Sequence, residues 1–262
     1  LTQLYLSIII PVYNEARRLQ DTLVRISDYL AEQPWSAELI VVDDGSTDET
    51  CAVVRNFITQ STAPAPQSAT PKPQVRLIEN DHRGKGYTVR AGMLAARGRY
   101  ILFSDADLAT PIAETARLLA CLDQGYDIAI GSREGAEARR YNEPRLRRWM
   151  GRLFNALVRL LIVGGVKDTQ CGFKAFRREA AHDIFGRLKI YGKEASIVHG
   201  ASVTAFDVEV LYLAVRMGYG ICEVPIEWYY REQSKVSPLR DSMRMARDVL
   251  RLRWNAWRGI YD

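Results

Sequence analysis

Tyr5-Leu6-Ser7-Ile8-Ile9-Ile10-Pro11-Val12-Tyr13-Asn14-Glu15 opens on a run that is apolar at every position but Ser7 and rich in β-branched Ile, and closes on a proline and polar side chains. A run that is apolar on both faces reads as a parallel strand buried inside a sheet. Leu19, Leu23, Ile26 and Leu30 then recur at helical spacing through 15–31. The alternation continues outward, with strands over 38–42, 75–78, 99–103 and 127–131 and helices over 47–59, 85–96 and 112–122. Strands separated by helices of this length predict βαβ units on a mostly parallel sheet. The Pro/Ala/Ser/Thr/Gln-rich stretch 59–74 holds four of the ten prolines and reads as a surface loop without chemistry.

Beyond residue 131 the pattern is less regular. It predicts a basic amphipathic helix over 144–163 with Pro144 in its first turn and a short strand at 172–176. A helix from Arg178, another over 206–217, a strand region at 219–228 and a final helix over 238–258 follow. Residues 191–204 lack periodicity and read as a second flexible loop.

The chain has 262 residues, a formal charge of +5, 47% apolar and 26% charged residues, which excludes disordered and fibrous classes. No stretch approaches the roughly 18 apolar residues of a membrane span, and no signal-peptide pattern is seen. The expectation is a protein that is not integral to a membrane. Cys51, Cys121, Cys171 and Cys222 lie far apart without a Cys-x-x-Cys, which argues against a zinc ribbon or a disulfide framework and predicts reduced thiols in the cytosol. The charge is uneven. Six Arg face one Glu over 139–152, and eight Lys/Arg face four acids from 231 onward, whereas the first half carries acidic clusters at Asp43-Asp44 and Asp105-Ala106-Asp107.

Ligands of parallel α/β sheets bind at the carboxyl ends of the strands, and unusual polar residues gather there repeatedly. Pro11–Glu15, Val42–Asp48, His82–Gly86, Ser104–Asp107 and Gly131–Arg133 follow five successive strands. Ser46 or Asp48 alone also reads as a helix N-cap; five clusters on one rim exceed what capping explains. Asp105 and Asp107 form the sharpest feature, because Mg²⁺ or Mn²⁺ takes one or two carboxylates together with diphosphate oxygens and water. No Gly-x-Gly-x-x-Gly follows the first strand and no P-loop motif occurs, which argues against a dinucleotide oxidoreductase or a P-loop kinase. His82, His182 and His199 make no convincing hydrolytic triad.

In this order, Pro11–Glu15, Val42–Asp48, Gly84–Gly86, Asp105–Leu108 and Gly131–Arg133 resemble the family-2 glycosyltransferases with the GT-A fold, a Rossmann-like, mostly parallel α/β sheet flanked by helices. Asp168–Lys174, Phe206–Leu211, Glu223–Pro225 and Ser234-Lys235 are similar to the dolichyl-phosphate β-glucosyltransferases and their prokaryotic polyprenyl-phosphate relatives, the likeness running from about 6 to 253. The resemblance implies a GT-A catalytic domain over 1–230, its nucleotide-sugar half ending near 131, followed by a basic amphipathic segment over 231–262. It implies sugar transfer with inversion from a nucleotide diphosphosugar, UDP-glucose first, to a polyprenyl (dolichyl-type) phosphate.

By the same resemblance Pro11, Tyr13, Glu15 and Asp44 hold the nucleoside, with Arg83, Lys85, Asp105 and Ala106 completing the donor site. Asp107, with Asp105, binds Mg²⁺ or Mn²⁺. Asp207 and Glu209 stand where related enzymes keep a catalytic acid and are expected to orient. A phosphate acceptor is already mostly a dianion at neutral pH and needs positive charge more than a base. Arg133, Arg147, Arg148, Gln170, Arg231, Ser234 and Lys235 are the candidates, Arg suiting the task through its bidentate fork. Ala109 stands where mannosyl relatives keep a Gln near the metal, and 191–204 is longer than in those relatives. The eukaryotic glucosyl relatives also carry an N-terminal membrane anchor, without a counterpart in these residues. GDP-mannose, UDP-N-acetylglucosamine or a soluble acceptor stay open, as does a non-catalytic basic module for lipid or nucleic acid. The aromatics do not interleave with the basic runs as a single-strand platform needs, so nucleic acid is not an expected partner.

In the final helix, Arg240, Arg244, Arg247, Arg251 and Arg258 form a stripe beside Met243, Ala246, Leu250, Trp254 and Trp257. Trp149, Leu153, Phe154, Leu157 and Leu161 make the 144–163 helix a second candidate. Basic amphipathic helices with Trp lie in the headgroup region of anionic membranes, so the expectation is a peripheral protein on the cytoplasmic face. Packing of both apolar faces on the sheet is the competing reading.

Overall fold

The computed structural model describes residues 4–61, 73–161, 164–198, 205–231 and 238–262, apart from the side chains of 146, 147, 160, 161 and 238–242. Seven strands form one sheet in the order β3-β2-β1-β4-β7-β5-β8. They are β1 (Leu6–Val12), β2 (Ala37–Asp43), β3 (Gln74–Glu79), β4 (Tyr100–Ser104), β5 (Ile128–Ser132), β7 (Phe173–Arg177) and β8 (Ile221–Pro225). All pair in parallel except β7, which runs antiparallel between β4 and β5. Two short strands, β6 (Arg139–Tyr141) and β9 (Glu227–Tyr229), pair separately, and Tyr141 stacks on Tyr229.

Helices α1 (Ala16–Ala31), α2 (Thr50–Ser61) and α4 (Thr115–Asp123) accompany one face of the sheet. Helices α3 (Lys85–Ala95), α6 (Arg178–Arg187), α7 (Phe206–Arg216) and α8 (Pro238–Trp257) accompany the other. In β1, Ile8 and Ile10 enter the first core and Ile9 the second, and all three are fully buried. The apolar run therefore serves two cores at once, as a central parallel strand requires. In α1, Leu19, Leu23, Ile26 and Leu30 are the buried stripe their spacing predicts.

Helix α5 (Arg145–Leu161) buries Val158 and Asn155, while Trp149 and Leu153 stay 71% and 63% exposed. Helix α8 has two apolar faces. Met245, Val249 and Leu252 are buried in the core shared with α6 and α7, so the C-terminal segment is docked on the catalytic sheet. Met243, Leu250, Trp254 and Trp257 project outward with 57–76% exposure. Arg244, Arg247, Arg251 and Arg258 are exposed beside them.

Two expectations fail here. Cys121 of α4 and Cys222 of β8 are joined in a disulfide, and only Cys51 and Cys171 are free. Helix α4 packs on β8 and brings residues 101 apart together. The pairing removes the cysteine-based ground for placing the chain in a reducing compartment. The reading of 191–204 as a loose loop fails at its start, where Tyr191 is buried and hydrogen-bonded; 199–204 lie outside the described residues, as do 62–72 of the proline-rich loop.

Candidate active site

The loops after β1, β2 and β3 are bonded into one wall. Asn14 sits in the left-handed region, φ 53°, and its amide oxygen accepts the Thr47 N–H at 2.8 Å. Ser46 Oγ and Thr50 Oγ1 accept the N–H groups of Asn14 and Glu15, each at 2.8 Å. Asp48 accepts the Thr50 N–H at 3.0 Å from one position before the N-cap residue Glu49, so it supports the start of α2 without being its N-cap. Asp44 is buried and binds three groups of the next loop: His82 Nδ1 at 2.8 Å, Arg83 N–H at 2.9 Å and Gly84 N–H at 3.0 Å. Gly84 adopts φ 88°, a conformation for which glycine is suited, and Lys85 then starts α3. Tyr13 stacks on His82 with centroids 4.0 Å apart and rings parallel within 2°. Arg83 donates to the carbonyls of Lys193 and Ala195 at 3.3 and 3.1 Å. Tyr13, Asp44, Arg83 and Lys85 thus share one rim, with Pro11 in β1 behind them and Glu15 ion-paired to Arg18.

The acidic pair follows β4. Asp105 Oδ1 is 2.5 Å from Lys85 Nζ. Its carboxylate lies against Gly172, where a built Cβ would come within 2.2 Å of Oδ2; any larger residue would displace it. Thr22 Oγ1 of α1 donates to the Ala106 carbonyl at 2.7 Å, and Asp107 Oδ1 accepts the Ala109 N–H at 3.0 Å. Burial, and next the Asp105 charge, push the Asp107 carboxyl above the usual carboxylate range. Two carboxylates held together at such a cost suit a divalent cation, whose charge offsets their repulsion. Among the described residues no group of three or more His, Cys, Asp or Glu is placed to hold a metal, so substrate oxygens and water would complete the coordination.

A layer of buried charge lies behind this pair. Asp168 is fully buried and takes Arg133 at Nε and Nη2, 2.7 and 2.8 Å, plus its backbone N–H at 2.9 Å. The Arg133 guanidinium also lies 5.3 Å from the Trp228 ring centroid. Lys174, fully buried in β7, bonds the Cys171 carbonyl at 2.5 Å and ion-pairs with Asp207. Glu209 accepts the N–H groups of Lys189, Ile190 and Tyr191 at 2.8, 2.9 and 3.2 Å and the Tyr261 hydroxyl at 2.7 Å.

A family model described as glycosyl transferase family 2 matches residues 7–185, and these carry the rim and the acidic pair. The chain belongs to glycosyl transferase family 2. It is 36% identical over 270 residues to the dolichyl-phosphate β-glucosyltransferase of Dictyostelium discoideum, covering 98% of this chain and 76% of that one. The human protein of the same name is 34% identical, covering 97% and 77%. The fold is that of glucosyl-3-phosphoglycerate synthase from Mycobacterium tuberculosis, solved with Mn²⁺, UDP-glucose and phosphoglyceric acid: TM-score 0.65, 18% identity, 100% of this chain and 82% of that one. A Pyrobaculum calidifontis mannosyltransferase with GDP-Man and Mn²⁺ aligns at TM-score 0.60 and 20% identity, covering 98% and 65%. The protein is a glycosyltransferase of the GT-A fold.

Within this glycosyltransferase the residues expected on the acceptor side divide. Arg133, expected on a phosphate, has its fork closed on Asp168; Asp207 and Glu209, expected to orient where related enzymes keep a catalytic acid, are committed to Lys174 and to a backbone turn. In each case a buried charge requires a partner within the protein, and the partner has taken it. Gln170 is half-buried and its N–H bonds Asp168 at 3.3 Å. Arg148 and Arg231 are exposed; the side chain of Arg147 and residues Ser234 and Lys235 lie outside the described residues. A recess of about 350 Å³ beside Ser132 is lined by Glu134, Glu137 and Glu223 against Lys167, a charge balance unsuited to phosphate. His82, Asp168, Gly172 and Lys174 were not assigned roles from sequence. A Lys in an apolar strand such as Phe173–Phe176 was the one available signal of a buried ion pair.

Proposed function

We propose that the protein transfers glucose from UDP-glucose to the phosphate of a dolichyl-type polyprenol, with inversion, at an anionic membrane surface. The observation that carries this reading is the likeness over nearly the whole chain to enzymes named dolichyl-phosphate β-glucosyltransferase. The rim supports it. Tyr13, Arg83 and Lys85 would form the nucleotide-facing wall beside Asp105 and Asp107, while the Asp44 carboxylate, expected on the nucleoside, is instead buried and holds the 82–84 loop in place. Asp107, with Asp105, would hold Mg²⁺ or Mn²⁺, which supplies charge stabilisation for the leaving diphosphate. The Lys85 ammonium, held at Asp105, is within reach of the same phosphates; Arg18 adds positive field at Asp107.

The acceptor phosphate needs no base, because at neutral pH it is largely the dianion. This fits a site in which a further carboxylate, Asp207, is already paired with a lysine. Arg148 and Arg231, both exposed, with Arg147, Ser234 and Lys235 by resemblance, would guide it. Among the described residues no helix is long and apolar enough to cross a membrane. The outward faces of α5 and α8, where Trp and Leu alternate with Arg, are suited to meet the bilayer that holds the acceptor.

The test is to incubate labelled UDP-glucose with short polyprenyl phosphates and Mg²⁺ or Mn²⁺. A lipid-soluble product labile to mild acid is expected. Transfer from GDP-mannose or UDP-N-acetylglucosamine alone would overturn the donor, and transfer only to a water-soluble acceptor would overturn the lipid.

A further inference from the structure

Tyr191 joins three elements far apart in sequence. Its hydroxyl donates to Asp248 Oδ2 of α8 at 2.5 Å and accepts the N–H of Ala205, the residue before α7, at 3.1 Å. Its ring lies on Gly86 in the first turn of α3, where a methyl group would come within 2.8 Å of it. The same ring meets Phe206 edge-on with centroids 6.4 Å apart. Gly86 follows Lys85, whose ammonium reaches Asp105 and lies 5.9 Å from the Phe206 ring; Phe206 precedes Asp207. Two helix N-termini, one carrying Lys85 of the donor rim and the other Asp207 of the buried layer behind it, therefore rest against one side chain, and α8 holds its hydroxyl.

A second set of bonds runs alongside. Glu209 ties the 189–191 backbone to Tyr261, just beyond α8. The inner face of α8 makes these connections while Met243, Leu250, Trp254 and Trp257 face outward. A surface that fixed α8 would fix Asp248 and, through it, the support of both N-termini. Donor binding would then meet a site already ordered, which is how rigidification at one place favours binding at another.

We propose that Tyr191 is a positioning residue which, through Asp248, makes α8 part of the donor site, so that lipid contact on the outer face of α8 tightens donor binding. This rests on the reading that α8 meets an anionic bilayer. The test measures UDP-glucose affinity of the full chain by calorimetry with Mn²⁺, with and without vesicles of phosphatidylcholine and phosphatidylglycerol. Flotation measures vesicle binding in parallel. Wild-type Kd should fall at least about fivefold on vesicles, the lower end of usual coupling between sites.

Tyr191→Phe keeps the ring on Gly86 and Phe206 but loses both hydroxyl bonds. It should float like wild type and lose the vesicle response. Asp248→Ala should do the same, whereas Asp248→Asn, which still accepts a hydrogen bond, should retain it. A merely structural role would weaken donor binding equally with and without vesicles. The proposal is overturned if Tyr191→Phe responds like wild type, or if wild type floats with its Kd unchanged; the lipid-acceptor reading survives both results. Failure of wild type to float overturns the coupling and the bilayer reading together. Should Tyr191→Phe not fold, Asp248→Ala against Asp248→Asn decides in the same way.

Discussion

Asp107→Asn removes the carboxylate proposed to hold the cation and should abolish transfer while leaving the melting temperature nearly unchanged. Near-normal turnover with Mn²⁺ would sink the assignment. Gly172→Ala probes the same pair from behind, because its Cβ would fall within 2.2 Å of Asp105 Oδ2. If Asp105 helps to hold the cation as proposed, displacing it this way should weaken Mn²⁺ affinity about 10–100-fold, the usual result of disturbing groups that orient a ligand; an unchanged calorimetric titration would count against it. Asp168 offers a pH test. Burial alone would raise its carboxyl, but the Arg133 guanidinium outweighs that and holds it well below the usual range. A depressed folded pKa contributes its full stability above the ordinary aspartate value near 3.9 and loses it progressively as pH falls from there towards the folded value. Asp168→Asn breaks a buried pair and should cost about 3–5 kcal/mol at pH 7. The difference in melting temperature from wild type should narrow below about pH 4; an equal gap at pH 7 and pH 3 would contradict the sign. Asp105, Asp107 and Asp44 were legible in sequence because acids after apolar strands are out of place there. The commitments of Arg133, Asp207 and Glu209 were not, because a buried charge announces its need of a partner and not which partner meets it.

The alternation of 5–131 was legible because period, length and turn residues agree in every element. Helices α5 and α8 were found within a few residues of their ends for the same reason. The antiparallel insertion of β7 was not legible. Phe173–Arg177 reads the same in either direction, and only the tertiary register opposite Phe103 and Ile130 fixes it. The three-residue strands β6 and β9 are too short to carry a period. The bridge from α4 to β8 was missed because spacing does not specify a pairing across 101 residues. In denaturant without reductant, a thiol reagent should therefore count two free cysteines of the four. In the native state neither should react quickly at pH 8, since burial pushes Cys51 up to about 12 and Cys171 to about 11. Reduction frees a loop of that length and should lower stability by about 4–5 kcal/mol in the chain-entropy account. Four reactive thiols in the unreduced, denatured chain would refute the bridge.

At the scale of the whole molecule, charge and apolar surface are displayed together on helices outside the sheet. Trp149 and Leu153 of α5 and Met243, Leu250, Trp254 and Trp257 of α8 are exposed, while Met245, Val249 and Leu252 anchor α8 to the core. An apolar face that a folded monomer leaves in water indicates a surface it meets. On the proposed reading, the interleaved and exposed Arg244, Arg247, Arg251 and Arg258 would select an anionic one. Each basic residue at such a surface contributes on the order of 1 kcal/mol, so several together give attachment that is reversible and salt-sensitive. The chain should float with anionic vesicles at low salt and be released at high salt, with a blue shift of tryptophan fluorescence on binding. Charge reversal at Arg244 and Arg251 should weaken flotation, and with it transfer to long-chain lipid, but not transfer to a short soluble analogue. Equal losses on both acceptors would mean that these arginines serve the fold or the site instead of the surface. Flotation onto neutral vesicles as strong as onto anionic ones would leave the apolar stripe in place as the anchor and remove the charge from the account.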